Sequence, residues 1–373
     1  MTTQVVVIED QAGFQALRDE WRELLDSSAA DSPFLTWEWL SAWWRHLGGQ
    51  KTLHILVVRS GEALIGIVPL ARGSSGPVGL TRLEFLGTGT VASDYLDVIA
   101  RTGREEEVLE ALLAFFGENK ATLQFDHVRT PDSLAECLAQ GLSEDGWVTR
   151  SQSIGVCPFI RIAGHTWDSL LGTLGSSHRA NVRRRIRALS AAYDVKFELV
   201  TSEEQRREAF PALVSLHNQR WGDRGGTAFH NEESTRFHDL ATQLLLERGW
   251  LRLYTLTLNG ATVAVQYLLG YKGRFYFYQH GYDSQYSNQS VGLVSFAMAI
   301  RSAIEEGASE FDMLWGDESY KDLWAHDSRS LVRVDLFSPD TTGIVHRGAA
   351  DANRAIRSFA KRLLNRGPRA AGD

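Results

Sequence analysis

A pattern that occurs twice is what most constrains the fold of this chain. His54–Arg59 (HILVVR) and Leu64–Ala71 (LIGIVPLA) read as two strands joined through Ser60-Gly61-Glu62. Leu251–Leu258 (LRLYTLTL) and Thr262–Gly270 (TVAVQYLLG) read as two strands joined through Asn259-Gly260. Short glycine-bearing links between apolar, β-branched runs are the local signature of a hairpin. The sequel repeats too. The first pair is followed by strand-like Arg82–Leu86 and Tyr95–Ala100, a helical stretch Glu105–Phe116, and strand-like Ala121–Val128 (ATLQFDHV). The second is followed by Arg274–His280 (RFYFYQH), a polar loop, a helical stretch Val291–Glu306, and Ser309–Leu314 (SEFDML). Asp126 and Asp312 hold matching places in the last strand of each series. Hairpin, strand, helix and strand in the same order twice imply a mixed α+β chain built from one duplicated unit.

Around this repeat the patterning is helical. Thr36 can cap Trp37–Leu47, where Trp39, Leu40, Trp43 and Trp44 fall on one face. Ser176–Leu189 (SSHRANVRRRIRAL) reads as a capped helix between the halves, and Leu331–Phe337 as a strand. The end of the chain carries Arg347, Arg354, Arg357, Lys361, Arg362, Arg366 and Arg369 against Asp351 and Asp373. Ile356, Phe359, Ala360, Leu363 and Leu364 repeat there at helical spacing, as in a basic amphipathic helix with a frayed end. The expected division is a first domain over 1–154, a second over 155–340 that includes the basic helix 176–190, and the basic tail over 341–373.

Length and composition agree with two domains. At roughly 100–200 residues per domain, 373 residues suffice for both. An apolar share of 43% and a charged share of 23% are ordinary for a globular chain. The net charge of −7 argues against generalised nucleic-acid binding but allows a local basic site. Two cysteines exclude a disulfide scaffold; Cys137 is expected as a small core residue of a helix and Cys157 in a strand. The opening MTTQVVVIEDQAGFQ lacks the basic region and apolar run of a secretory signal, and no run of about 18 apolar residues exists to span a bilayer. A cytoplasmic protein is expected.

Several chemistries drop out. No GxSxG, HExxH, CxxC or GxxxxGK[ST] occurs, so hydrolase, zinc and P-loop readings lack support. Gly87-Thr88-Gly89-Thr90-Val91-Ala92 is followed by a strand pattern, not by the helix that a dinucleotide fingerprint must open. The eleven histidines show no pair at metal-ligand spacing, so no metal is expected.

Chemical interest concentrates in Phe275–Trp324, which reads FYFYQHGYDSQYSNQSVGLVSFAMAIRSAIEEGASEFDMLWGDESYKDLW. An aromatic strand runs into a polar loop, and the loop opens an amphipathic helix. Free N–H groups and the positive end of the helix dipole at Gln289, Ser290, Val291 and Gly292 make an anion site suited to a pyrophosphate.

This run resembles the second half of GNAT-superfamily acyltransferases of the Fem-like and CelD-like branch. There an aromatic strand leads through a Ser-x-Gly loop to a helix and then to a D-x-x-x-G-D-E-x-Y-K-x-x-W signature. Here the loop is Ser290-Val291-Gly292 and the signature is Asp312, Gly316, Asp317, Glu318, Tyr320, Lys321 and Trp324. Relatives often carry proline where Val291 stands, which implies a less rigid loop in this chain. Pro33-Phe34 through Trp39, Gly87 with Asp94-Tyr95-Leu96-Asp97, and Arg179 through Arg187 extend the resemblance over most of residues 30–335. It implies tandem GNAT-like domains, each a mixed, largely antiparallel twisted sheet flanked by helices.

The resemblance also implies a reaction: acyl transfer from acyl-CoA to an amine. The acceptor would be an envelope component such as an amino sugar, a peptidoglycan precursor or an amino lipid. An amine attacking a thioester must lose a proton to a nearby base. Asp317 is the first candidate, His280 the second and Glu318 the third. Tyr320 and Lys321 could bind substrate or assist the leaving group, although Glu318 paired to Lys321 on a solvated turn is the competing arrangement. Main-chain donors near Gln279–Gly281 could meet the oxyanion. Arg179 and Arg183, which share a helix face with Arg187, could hold the donor's phosphates or remain a solvated face. Asp94 and Tyr95 are candidates for the acceptor cleft, and Trp324 for substrate contact or packing. The basic tail could bring the enzyme to the inner membrane face. Two alternatives stand: a Fem-like transferase using aminoacyl-tRNA, and a non-catalytic protein of polysaccharide synthesis.

Overall fold

A computed structural model of the chain describes residues 2–75, 80–89, 91, 93–221, 228–316 and 318–364. The first half contains β1 (Thr3–Ile8), α1 (Gln11–Ala16), α2 (Arg18–Asp26), α3 (Trp37–Leu47), β2 (Thr52–Leu53), β3 (Ile55–Ser60), β4 (Ala63–Val68), β5 (Leu70–Ser75), β6 (Leu80–Phe85), β7 (Ile99–Ala100), α4 (Glu105–Glu118), β8 (Thr122–Thr130), α5 (Leu134–Glu144) and β9 (Val148–Arg161). The second contains α6 (Trp167–Thr173), α7 (Ser176–Ala192), β10 (Val195–Leu199), α8 (Glu203–Trp221), α9 (Glu232–Glu247), β11 (Leu251–Leu258), β12 (Ala261–Tyr271), β13 (Arg274–Tyr282), α10 (Val291–Glu305), β14 (Glu310–Asp312), β15 (Asp327–Phe337) and α11 (Thr341–Leu364).

The duplication is visible in the pairing. β6 and β8 run parallel with α4 between them in sequence, and β13 and β14 run parallel with α10 between them. In each half an antiparallel hairpin precedes this crossover: β3 with β4, and β11 with β12. The strand read over Leu64–Ala71 divides at Pro69, which has no N–H to give to a ladder. β4 therefore joins a four-stranded sheet of order β1-β3-β4-β7, while β5 joins an eleven-stranded one. The larger sheet runs β10-β11-β12-β13-β14-β9-β15-β8-β6-β5-β2 and spans both halves. Its centre is an exchange: β15, late in the chain, lies antiparallel between β9 and β8. β9 passes through residues 154 and 155 without a break, pairing first with β15 and then with β14.

Packing explains why the helices sit where they do. Thr36 Oγ1 accepts from Trp39 N–H at 3.3 Å and starts α3 as its sequence implies. Trp39, Leu40 and Trp43 are buried, and the Trp39 ring meets Phe237 of α9 edge-on at 4.9 Å. Burying side chains of this size is worth about 1.5–3 kcal/mol each. Behind the larger sheet, α10 buries Phe296, Ala297, Ile300 and Ala303.

Three expectations change, while the basic tail forms a helix as expected. Of Tyr95–Ala100 only Ile99–Ala100 is a strand, because Tyr95 has φ 60° and Asp97 turns its carboxylate to Leu134 N–H and Ala135 N–H at the start of α5. The helix at Ser176 has Gly175 at its N-cap and no side-chain cap. Cys137 is exposed, because its position on α5 faces away from the sheet, whereas Cys157 is buried in β9. The basic tail is helical over Thr341–Leu364, and residues 365–373 lie outside the described residues.

Candidate active site

The site begins where two neighbouring strands part. β13 and β14 pair over three positions only, ending at Tyr276 opposite Asp312. Beyond it, Met313 N–H turns to Pro158 O at 2.9 Å, following β9. β13 continues along β12 with a bulge, Gln279 facing Tyr267 and Phe277 facing Leu268. Past Tyr276, the edge of β13 that faced β14 has no strand partner among the described residues.

Beside this opening lies a cavity of about 310 Å³. Phe277, His280 and Tyr282 of β13 line it, together with Gln266 of β12 and His178 of α7. The start of α10 contributes Ser290, Val291, Gly292, Leu293 and Phe296, and the later loop Tyr320, Leu323 and Trp324. Aromatic rings make most of the wall: Phe296 meets Tyr320 and Trp324 at 5.7 Å each, and His178 meets Trp324 edge-on at 4.9 Å.

The start of α10 is unusual. Ser290, its N-cap, has φ 58° and ψ 39°, a left-handed conformation that costs a non-glycine residue about 1 kcal/mol or more. Its side chain caps nothing, and the first turn carries no acidic residue. First-turn N–H groups have no partner within their own helix, so this end offers donors and partial positive charge. Val291 is fully buried among Leu256, Leu258 and Val263, and this packing holds the turn. Arg185 adds a second tether, donating from Nη1 to Asn288 O at 2.9 Å. Gly292 is needed for space: a Cβ there would stand 2.7 Å from the Tyr282 ring.

Two buried polar atoms in the cavity wall have no partner among the described residues, Gln266 Oε1 and His178 Nε2. Burial lowers the His178 pKa, so the ring is neutral near pH 7. Among the described residues no group of three or more His, Cys, Asp or Glu is placed to hold a metal ion.

The structure therefore gathers Ser290, Val291, Gly292, His280, Tyr320 and Trp324 around one cavity. Gln289 lies just before it, with Nε2 donating to Tyr193 Oη at 3.3 Å, and Gln279 lies on β13 between two lining residues. Asp317 lies outside the described residues. Lys321 is buried and is not a lining residue: its Nζ donates to Leu314 O at 3.2 Å and Trp315 O at 3.1 Å, and pairs with Glu318 at 2.9 Å. Arg179 donates to Gly172 O at 3.2 Å, and Arg183 pairs with Asp168 at 2.8 Å, both on the α6 side of α7.

Asp94 and Tyr95 do not line the cavity; they join the halves. Asp94 is buried, accepting from His127 Nδ1 at 2.8 Å and from Trp315 N–H at 2.8 Å. Tyr95 Oη donates to Asp312 Oδ2 at 2.7 Å, and Arg329 donates to the same oxygen at 3.1 Å and to Glu310 at 2.6 Å. Burial pushes the Asp312 carboxyl up to about 7, against the opposing Tyr95 and Arg329. Burial also opposes a charge on His127, but the Asp94 hydrogen bond and charge outweigh it and raise its pKa.

Sequence reasoning did not single out Gln266 as a site residue, and it named His178 only within the basic cluster. A lone glutamine inside TVAVQYLLG was the available signal for the first.

The sheet thus parts between two parallel strands, with the uncapped start of a helix and a cavity beside the opening. Residues 176–322 match the acetyltransferase (GNAT) domain family. This stretch is a GNAT domain, and the protein is an acyltransferase of the GNAT type. Its fold is similar to that of FemX, with a TM-score of 0.60 at 14% identity over 90% of this chain and 97% of that one. A conserved protein of unknown function from Bacteroides thetaiotaomicron gives a TM-score of 0.58 at 13% identity, over 89% of this chain and 100% of that one. The L-PGS structure from Bacillus licheniformis gives 0.53 at 15% identity, over 87% and 91%. No curated protein sequence matches the chain.

Proposed function

We propose that the protein transfers an acyl group from acyl-CoA to an amine of a cell-envelope component, such as an amino sugar, a peptidoglycan precursor or an amino lipid. One observation carries the reading: the uncapped start of α10, free of acidic residues, borders a cavity at the point where β13 and β14 part. The donor's pyrophosphate would take the first-turn N–H groups at Ser290–Gly292. Its thioester arm would follow the open edge of β13 near Gln279. In the reaction the amine nitrogen bonds to the thioester carbonyl carbon and the C–S bond breaks. The amine proton passes to a base, and the thiolate leaves with a proton from a nearby acid.

Asp317 is the first candidate for the base. His280 is the second and is already a cavity residue; Glu318, held by Lys321, is the third. Tyr320, in the cavity wall, suits protonation of the thiolate. The division into a donor domain over 155–340 and an acceptor domain over 1–154 belongs to this proposal, with Asp94 and Tyr95 positioning the junction between them.

Fold similarity to FemX and L-PGS supports an envelope acceptor and keeps the aminoacyl-tRNA donor as the second reading. No described helix is long and apolar enough to cross a membrane. Ile344 and Val345 are exposed at the start of α11, which suits a peripheral contact on the cytoplasmic side of the membrane. Calorimetric titration with CoA, acetyl-CoA and longer acyl-CoAs tests the donor. Saturable binding of at least one is expected. No binding of any, with product formed from charged tRNA, would replace the first reading by the second.

A further inference from the structure

Gln266 sits in the middle of β12 and is fully buried, yet only one end of its carboxamide is matched. Nε2 donates to Ser295 Oγ at 2.6 Å, and Ser295 Oγ donates to Gly292 O at 3.2 Å. A serine hydroxyl has a single hydrogen. With that hydrogen assigned to Gly292 O, Ser295 accepts from Gln266, and the amide is assigned with Nε2 toward the hydroxyl. Oε1 is then the atom left over, and Gln266 is a cavity-lining residue. A buried carbonyl without a partner costs about 1–3 kcal/mol. Leucine or methionine would fill the same place in the TVAVQYLLG strand without that cost. On another wall, His178 Nε2 is likewise buried and unpartnered. The charged residues nearest in sequence to this wall, Arg179 and Arg183, are engaged with α6 and its loop. A neutral acceptor deep in an aromatic cavity selects for a neutral N–H or O–H donor.

We propose that Gln266 Oε1 is a specificity-determining acceptor for a hydrogen-bond donor carried by the acyl thioester itself. This rests on the reading that the cavity receives acyl-CoA. The donor group has two chemical sources: an amide N–H of the carrier's pantetheine arm, or a hydroxyl on the acyl chain. The Ser295 link means that the same side chain also braces Gly292, so ligand contact and the start of α10 are coupled through one buried relay.

The test is calorimetric Kd measurement for free CoA, butyryl-CoA and 3-hydroxybutyryl-CoA, with the wild-type protein and with Gln266→Met, which keeps volume and removes the acceptor. If the arm supplies the donor, Gln266→Met weakens all three ligands by roughly 10- to 100-fold. If the acyl chain supplies it, only 3-hydroxybutyryl-CoA weakens by that factor, and the wild-type protein prefers it to butyryl-CoA. Wild-type affinity of the folded variant for all three overturns the proposal. Should Gln266→Met fail to fold, Ser295→Ala decides: freeing the carboxamide to turn over is expected to cost several-fold in the same ligands, and unchanged affinity overturns the proposal. Binding of none of the three by the wild-type protein sinks the donor assignment instead, so the two failures are distinct.

Discussion

Helices α4 and α10 hold the same place in the two halves, each crossing between parallel strands, and they begin in opposite ways. The first turn of α4 carries Glu105, Glu106 and Glu107 after Arg104. Those carboxylates complement the positive end of the helix and leave nothing for an outside anion. The helix also sits hard on its sheet, since a Cβ at Gly66 of β4 would stand 2.7 Å from Val108. α10 starts from a left-handed Ser290, has no acidic residue in its first turn, and borders a cavity. One scaffold is thus closed by its own side chains in the first half and open in the second. In the proposed function, the capacity to bind an anionic donor would rest on three or four residues at a helix start, not on the fold as a whole.

Copying the closed start onto the open one gives the largest expected effect. Leu293, third in α10, corresponds to Glu107, third in α4, and lines the cavity. Leu293→Glu would place a carboxylate beside the bound phosphates. At an effective dielectric constant near 20, like charges about 4–6 Å apart repel by roughly 3–4 kcal/mol before solvent screening. CoA affinity is expected to fall by roughly 100-fold, most steeply at low salt, with thermal stability little changed. Equal affinity in calorimetry would break the contrast between the two helices.

A smaller effect separates bracing from binding. The junction of the halves holds His127 and Asp312, both with pKa values raised in the folded state: His127 by the adjacent Asp94, which outweighs the burial opposing it, and Asp312 by burial, to about 7. Each proton is therefore held more tightly folded than unfolded. The stabilisation is complete below the unfolded values and is lost as pH rises, for Asp312 between about 4 and 7 and for His127 from about 6.5 to its raised value. The melting temperature should fall by a few degrees from pH 6 to pH 8.5. Asp312→Asn keeps an acceptor for Tyr95 and removes one titration, so its fall should be shallower, with CoA affinity unaltered. A wild-type slope retained in both Asp312→Asn and His127→Gln would show that neither group carries the dependence.

Local pattern made much of this legible in the sequence. Leu251–Leu258 and Trp37–Leu47 form where the alternation and the Thr36 cap place them, and the loop before α10 stands out because polar residues give way abruptly to an apolar helix. Non-local pairing was not legible. Nothing in Leu331–Phe337 says that it inserts between β8 and β9, and no spacing links Asp94 to His127 or to Trp315. Tyr95–Ala100 alternates like a strand, but the Asp97 side chain is committed to α5. Within the cavity, Ser290, His280, Tyr320 and Trp324 were readable from motif and loop. Gln266 was not, because a glutamine in a strand usually marks a solvated face, and only the burial of β12 on both sides reverses that meaning.

The smallest expected effect is the converse substitution. Removing the acid from α4 with Glu105→Gln and Glu106→Gln strips the complement to that helix end but creates no room beside it, because Val108 still rests against Gly66. Stability should drop by about 1 kcal/mol or less per glutamate, read as a small shift in melting temperature. No second CoA site should appear, and the calorimetric stoichiometry should remain one per chain. Charge and space act together at α10. If neutralising α4 alone produced a second binding event, charge would suffice and the cavity beside α10 would lose its place in the explanation.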